Sequence, residues 1–117
     1  MKPHVLIVED NYFLAANLIE VVEQDLDAEP KAVATVSEAL KVIPDDIAIA
    51  FLDIEVRDGK TYAAARKLME NHIPVIFVSG NQRASLPDDL KDTPFLCKPV
   101  ASSRLVRLAK ALSNAFH

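Results

Sequence analysis

The sequence contains a single cysteine, Cys97, which excludes an internal disulfide. Because disulfides persist mainly in oxidising compartments, the lone thiol favours a reducing, cytoplasmic setting. Cys97 lies in an apolar stretch, so we expect a buried thiol rather than a reactive one. Glycine is also scarce, with only 2 residues, and the sequence shows neither repeats nor a linker. We therefore expect one domain over residues 1–117.

Long apolar runs and an excess of basic residues are missing as well. No run approaches the roughly 18 residues that a membrane span requires, and the first residues do not resemble a signal peptide. The 17 Asp and Glu residues outnumber the 13 Lys and Arg residues, which gives a net charge of -4. Domains that bind nucleic acid usually have the opposite balance. The composition predicts a folded cytoplasmic protein without direct nucleic-acid or membrane contact.

Apolar runs alternate along the chain with amphipathic stretches. The runs predict buried strands at residues 5–8, 31–36, 47–54, 74–80 and 94–99. The amphipathic stretches predict helices at residues 11–25, 35–43 and 61–71, and a last helix from about residue 102 to the chain end. Thr35 and Glu38 have the spacing of a capping box, and Ser102 or Ser103 is the expected N-cap of the last helix.

Strands that alternate with helices and are apolar throughout indicate the α/β class. They predict a five-stranded parallel sheet that is doubly wound, with helices on both faces and right-handed crossovers. Residues 80–94 are the exception, because Pro87 interrupts them and they show little helical periodicity. We expect a degraded fourth helix there, with at most a short helical turn at residues 87–90.

Polar groups follow four of the five predicted strands. These groups are Glu9 and Asp10 after the first strand, Asp53 after the third, Ser79 after the fourth and Lys98 after the fifth. Each of them alone is typical of a solvated loop. In a doubly wound sheet, however, ligands bind at the carboxyl ends of the strands. The set therefore predicts one site.

The residue types indicate the chemistry of this site. Three neighbouring carboxylates repel one another unless a cation joins them, and Mg²⁺ prefers carboxylate oxygens. A lysine and a hydroxyl beside them suit a phosphoryl group, whose oxygens they would neutralise and hydrogen-bond while a carboxylate attacks phosphorus in line. We predict Asp53 as this nucleophile because it ends the most central strand.

With these residues in this order, the chain resembles the receiver domains of two-component response regulators over essentially its whole length. The resemblance implies a flavodoxin-like (βα)5 fold and a single receiver domain with no output domain. It also implies that Asp53 takes a phosphoryl group from a histidine kinase or a His phosphotransfer protein. Such a domain phosphorylates and dephosphorylates itself with Mg²⁺ but is not a turnover enzyme.

The resemblance also implies ligands for the metal. Glu9, Asp10 and Asp53 would hold Mg²⁺, helped by the backbone carbonyl of Glu55. A carboxylate so close to the acceptor is unusual. We hypothesise that the Glu55 side chain reaches the metal or its water and alters the lifetime of the phosphate.

Further residues match the switch of the family. Lys98 would pair with the phosphoryl oxygens, and Ser79 would move inward to hydrogen-bond one of them. Phe95 matches the aromatic residue that rotates inward at the same time. The Lys98-Pro99 bond is similar to one that is cis in the family, an isomer that proline permits.

Three features depart from the usual family pattern. The loop from Asp53 to Gly59 is short and lacks a Met-Pro pair, Ser79 replaces the commoner threonine, and the fourth helix is degraded. These features resemble the short stand-alone receivers of alphaproteobacteria, which carry an aromatic-Ala-Thr-Gly-type motif. Here the motif would be residues 77–80, Phe-Val-Ser-Gly, which is imperfect.

The output of such a domain would pass through another protein. Arg104, Arg107 and Lys110 lie on the outer side of the last helix. They form either a solvated face or a phosphorylation-dependent contact with a downstream protein or a second copy, through strand five and the last helix. The protein would then act as a gated binder or as a phosphate shuttle in a phosphorelay.

Two other functions are compatible with the sequence. A haloacid-dehalogenase-type phosphatase also uses an Asp nucleophile, Mg²⁺ and a lysine, and Glu55 could imitate its second acid. A receiver-like scaffold would signal by protein contact alone and never take phosphate.

Overall fold

In the computed structural model of the chain, residues 1–43, 46–80 and 86–116 are described. The strands are β1 (His4–Val8), β2 (Glu29–Val33), β3 (Ile49–Leu52), β4 (Glu55–Val56), β5 (Gly59–Lys60), β6 (Val75–Ser79) and β7 (Phe95–Cys97). The helices are α1 (Tyr12–Asp25), α2 (Val36–Val42), α3 (Tyr62–Glu70) and α4 (Ser102–Leu112). Within the described ranges, no helix is long and apolar enough to cross a membrane.

Five strands form one parallel sheet in the order β2-β1-β3-β6-β7. The predicted fold, a doubly wound α/β domain, is confirmed. Every residue of β3 and β6 is buried, because helices cover both faces of the sheet. This double cover explains why the strands are continuous apolar runs in the sequence.

The two faces of the sheet have separate hydrophobic clusters. Leu6 and Val8 of β1 pack on one face with α2 and α3. Val5 and Ile7 pack on the other face with α1 and α4. Successive residues of a strand point to opposite faces, so one apolar strand contributes to both clusters.

The predicted boundaries fail at α4. Neither Ser102 nor Ser103 is its N-cap, because Ala101 occupies that position and no side chain caps the helix. The helix also ends at Leu112 rather than at the chain end, where Ser113 has an extended backbone (φ -139, ψ 135). This break returns Phe116 to the hydrophobic cluster of α1 and α4, where only 7% of it is exposed.

Cys97 was predicted to be buried, and this prediction is wrong. It lies on β7, which is one of the two edge strands of the large sheet. Its neighbour Leu96 faces the core and is 6% exposed. The side chain of Cys97 points the other way, as the alternation along a strand requires.

The degraded fourth helix is confirmed as far as the structure describes it. A 3-10 turn at Asp88–Leu90 is its regular part, and residues 81–85 lie outside the described ranges. Leu90 is 1% exposed and anchors the turn in the core. Arg66 of α3 donates to both carboxylate oxygens of Asp89, at 2.8 and 3.1 Å, and ties the turn to α3.

A small antiparallel hairpin of β4 and β5 follows Asp53, where the sequence predicts only a short loop to Gly59. Gly59 has φ 127, a conformation that side chains disfavour. Each strand of the hairpin has 2 residues. That is too short for the period-two pattern by which a strand is recognised.

Two residues after the end of helix α3, His72 has a left-handed backbone conformation, with φ 60. The amide of His72 donates to the carbonyl of Met69 at 3.0 Å, and that of Ile73 to Leu68 at 2.9 Å. This is the Schellman motif, in which glycine is the favoured residue. The exposed His72 side chain therefore occupies a position where a Cβ is strained.

We expect His72→Gly to raise the free energy of unfolding by about 0.5–1 kcal/mol, because it removes this strain. Urea unfolding followed by circular dichroism measures the change. Asn71→Gly is the control, since Asn71 has a negative φ of -94 and gains nothing from glycine. A lower stability of His72→Gly would contradict the interpretation of this helix end.

Candidate functional site

The five predicted site residues meet at the carboxyl edge of the large sheet. Strand β1 lies between β2 and β3, so the strand order reverses there. Glu9 and Asp10 directly follow β1, Asp53 follows β3, Ser79 ends β6 and Lys98 follows β7. This reversal point is where open α/β sheets bind their ligands.

Both oxygens of the Asp53 carboxylate accept hydrogen bonds. Lys98 Nζ lies 2.8 Å from Oδ2, and Ser79 Oγ lies 2.9 Å from Oδ1. The amide of Asp53 donates to the carbonyl of Val8 at 2.9 Å, as a continuation of the β1-β3 ladder. The Asp53 side chain is 13% exposed, so part of the carboxylate remains accessible to solvent while Lys98 and Ser79 hold its two oxygens.

Lys98 also binds Glu9, and the two residues respond differently to burial. The ammonium lies 2.6 Å from Glu9 Oε1, and the Glu9 side chain is only 2% exposed. Burial raises the pKa of Glu9, and the lysine hydrogen bond offsets this only in part. Burial would lower the pKa of Lys98, but its hydrogen bonds to Asp53 and Glu9 outweigh burial and raise it. The contact thus stabilises the charged form of Lys98, whereas burial still disfavours the charged form of Glu9.

The carboxylates of Glu9, Asp10 and Asp53 form an acidic cluster. One oxygen from each lies within 4.8 Å of the others. Lys98 bonds to two of these three carboxylates, Glu9 and Asp53. One positive charge therefore faces three acidic groups in the cluster. Hard oxygen ligands and unbalanced charge are what a divalent cation such as Mg²⁺ requires, and these residues fit that ion.

Glu55 lies outside this cluster. Its side chain is exposed and pairs with Lys60 across the β4-β5 hairpin, with Nζ 3.1 Å from Oε1. This arrangement does not favour the hypothesis that the Glu55 carboxylate reaches a metal. Its backbone carbonyl follows the acceptor by two residues and keeps its predicted role as a hypothesis.

Ser79 is in contact with Asp53 in this structure, and its predicted movement toward a phosphoryl oxygen stays a prediction. Its side chain is buried, and the residue is 1% exposed. Phe95, paired in register with Phe77 of β6, is partly buried and packs against the cluster beneath α2 and α3. The Lys98-Pro99 peptide is cis.

Two residues that hold the acceptor loop are not among the predicted site residues. The Thr61 hydroxyl donates to the backbone carbonyl of Asp53, and the Asp58 carboxylate accepts from the amides of Val36 and Ser37 at 2.8 and 3.1 Å. Asp58 thus joins the hairpin to the first turn of α2. A Thr before an apolar helix and an Asp-Gly turn are ordinary local signals, and neither indicates a distant partner.

Asp58 predicts a pH dependence of stability. Hydrogen bonds from the α2 amides lower the pKa of the Asp58 carboxyl, and the bond from Val36 has the largest effect. A carboxyl with a lowered folded-state pKa stabilises the protein above its unfolded pKa and loses that effect as pH falls through the folded value. We therefore expect Asp58→Asn to be less stable than the wild type at pH 7, with a difference that shrinks below about pH 3.8.

Urea unfolding midpoints of both proteins between pH 7 and pH 2.5 measure this difference. Asp27→Asn serves as the control, because Asp27 is exposed and its ion pair is with the exposed Lys2. A difference between wild type and Asp58→Asn that is constant down to pH 2.5 would refute the electrostatic part of this contact.

The fold is shared with known proteins. No protein-family model and no curated protein sequence matches the chain. Among solved structures, the solution structure of SdrG from Sphingomonas melonis Fr1 is 33% identical, with a TM-score of 0.80, over 95% of this chain and 96% of that chain. A signal receiver domain from Vibrio parahaemolyticus is 26% identical, with a TM-score of 0.82, over 98% and 93%.

A third structure shares the fold at lower identity. It is a CheY-like response regulator receiver domain from Methylobacillus flagellatus, 22% identical, with a TM-score of 0.81, over 97% of this chain and 100% of that one. The chain belongs to the CheY-like receiver domains of response regulators. The family that the sequence resembles is thereby confirmed.

Proposed function

We propose that this receiver domain takes a phosphoryl group onto Asp53 from the phosphohistidine of a histidine kinase or a His phosphotransfer protein. The observation that supports this most directly is the environment of the Asp53 carboxylate. It is 13% exposed at the reversal point of the sheet, held by Lys98 and Ser79 and flanked by two more carboxylates. That arrangement suits a nucleophile that faces an incoming phosphorus atom.

In the proposed transfer, a carboxylate oxygen of Asp53 forms a bond to phosphorus as the bond from phosphorus to the donor imidazole nitrogen breaks. The imidazole leaves with the electron pair of that bond. Lys98 lies 2.8 Å from the carboxylate and would neutralise the phosphoryl oxygens, and the Ser79 hydroxyl, 2.9 Å from it, would hydrogen-bond one of them. Residues 1–117 would thus form one receiver domain, which is phosphorylated once and does not turn over a substrate.

Glu9, Asp10 and Asp53 would hold Mg²⁺, with the Glu55 backbone carbonyl as a further ligand. When bound, the ion supplies positive charge that neutralises the phosphoryl oxygens. Lys98 has a second function in the cluster, because it bonds to the buried Glu9 and keeps that carboxylate in place.

The phosphoryl group would change the surface beside β7 and α4. It adds about -1.5 to -2 charge at pH 7 and attracts the Ser79 hydroxyl, while Phe95 repacks against the cluster behind it. Arg104, Arg107 and Lys110 are exposed on α4 and form no ion pair with any residue in the described ranges. We propose this face for a downstream protein or a second copy, in a cytoplasmic signalling or relay pathway.

Labelling with a small phosphodonor tests this function. The protein would be incubated with Mg²⁺ and radiolabelled acetyl phosphate, and should incorporate at most one alkali-labile phosphate per chain. Continued hydrolysis of a simple phosphomonoester would instead identify a phosphatase. Absence of both labelling and Mg²⁺-dependent beryllofluoride binding would identify a scaffold.

A further inference from the structure

Thr61 makes contacts that its position in the sequence does not explain. It is fully buried, with 0% exposure, and its hydroxyl contacts the backbone carbonyls of Asp53 and, at 3.3 Å, Ile54. Its amide also donates to the carbonyl of Ile54 at 2.8 Å. Thr61 therefore bonds to the main chain of the acceptor and of the residue after it.

Helix capping does not account for this hydroxyl. Thr61 is the N-cap of α3, where a threonine side chain ordinarily accepts a hydrogen bond from the first turn. Here the side chain makes no such bond. The hydroxyl instead donates backwards across the hairpin, so its contribution goes to the acceptor loop and not to the start of α3.

The acceptor backbone needs such a contact because the strand has ended. Strand β3 stops at Leu52, and the amide of Asp53 is its last bond to β1. The peptide between Asp53 and Ile54 lies beyond the ladder, so the pairing of β3 with β1 does not hold its carbonyl. A hydrogen bond to that carbonyl holds the Asp53 main chain on the side that the ladder leaves unheld, and a fixed backbone limits how far the carboxylate can move.

Buried polar side chains provide a comparison within the protein. In the described ranges they are Glu9, Thr61, Ser79 and Thr93. Glu9 and Ser79 belong to the site, whereas the Thr93 hydroxyl has no hydrogen-bond partner among the described residues. Thr61 thus differs from Thr93 in having the acceptor backbone as its partner, although both are buried threonines.

We infer that Thr61 is a positioning residue, whose hydroxyl holds the Asp53 main chain so that the carboxylate faces the incoming phosphoryl group. The inference rests on the proposed function. The hairpin supports Thr61 from the other side, since Lys60 pairs with Glu55 and Asp58 binds the start of α2. These contacts, together with the hydrogen bonds of Thr61, hold both ends of the short loop after Asp53.

Thr61→Val tests the inference, because valine keeps the shape and removes the donor. Partners that orient a ligand commonly affect activity by 10–100-fold when removed. We expect the initial rate of labelling by acetyl phosphate, at saturating Mg²⁺ and donor, to fall about 10-fold or more. Thr61→Ser restores the hydroxyl and should recover most of the rate.

Thr93→Val is the matched control, since it removes a buried hydroxyl that has no hydrogen-bond partner in the part of the chain that the structure describes. It should label at the wild-type rate. If Thr61→Val does not fold, Thr61→Ala takes its place with the same expectation. A wild-type labelling rate in the variant without the hydroxyl, or a loss in Thr61→Ser equal to that in Thr61→Val, would overturn the inference.

The proposed function can fail separately. If the wild type is not labelled at all and does not differ from Asp53→Asn, the phosphoacceptor function itself is wrong. If the wild type is labelled and Thr61→Val is labelled equally fast, the function stands and only the positioning role is wrong.

Discussion

Asp53→Asn should reduce incorporation of radiolabelled phosphate to background. An amide is nearly isosteric with the carboxylate and can still accept hydrogen bonds from Lys98 or Ser79, which contact the two oxygens at 2.8 and 2.9 Å. It lacks the anionic oxygen that attacks phosphorus. The loss would therefore reflect the missing nucleophile and not a rearranged site.

Glu55→Gln is the matched control for this experiment. Glu55 lies two residues further along the chain, but its carboxylate is exposed and pairs with Lys60. We expect this variant to incorporate label to the wild-type extent. Label retained in Asp53→Asn would contradict the assignment of the acceptor, and label lost only in Glu55→Gln would move it to residue 55.

Lys98→Met should weaken both the fold and the phosphoryl transfer. Methionine keeps the apolar stem but removes the donor to Glu9 Oε1 at 2.6 Å and to Asp53 Oδ2 at 2.8 Å. Glu9 then retains the amide of Asn11 as its hydrogen-bond donor. Leaving a buried acceptor poorly satisfied costs about 1–3 kcal/mol, and we expect a loss of unfolding free energy of that order.

The loss should depend on Mg²⁺. Without the ammonium, the three carboxylates of the cluster repel one another with no opposing charge, and the pKa of Glu9, which burial already raises, should rise further. A divalent cation that binds the folded state stabilises it by mass action. We therefore expect Mg²⁺ to raise the thermal midpoint more in Lys98→Met than in the wild type, while labelling stays strongly reduced.

Lys60→Met is the control for this variant, because Lys60 and Glu55 form an exposed pair with side chains 47% and 58% exposed. Such pairs contribute about 0–1 kcal/mol. Equal losses of stability in Lys98→Met and Lys60→Met would show that Lys98 does not hold the buried acid. That outcome would remove the structural half of its role.

The order and type of the elements could be predicted from local patterns. The strands β1, β3 and β6 are runs of apolar residues, and the helix α1 follows a clear stripe capped by Asn11, whose side chain accepts from the amide of Leu14 at 3.1 Å. Boundaries were less certain. The predicted end of α4 was wrong, because no local signal at Ser113 indicates that Phe116 turns back into the core.

The candidate site could be predicted in part. Glu9, Asp53 and Lys98 each directly follow a strand, and parallel strands bring their carboxyl ends to one edge. Which oxygen meets which donor could not be predicted. The contact of Lys98 with Glu9 joins residues 89 positions apart, and it depends on how the strands pack side by side.

The sequence by itself determined the class of the fold, since a strand buried on both faces must be apolar throughout and parallel strands need helices between them. It also determined which chemical groups stand at the sheet edge. Only the tertiary structure decided that Thr61 bonds to the acceptor backbone, that Asp58 caps α2 and that Glu55 faces Lys60. Hydrogen bonds between side chains and distant backbone groups depend on distances of a few tenths of an ångström, and hydrophobic periodicity carries no information at that scale.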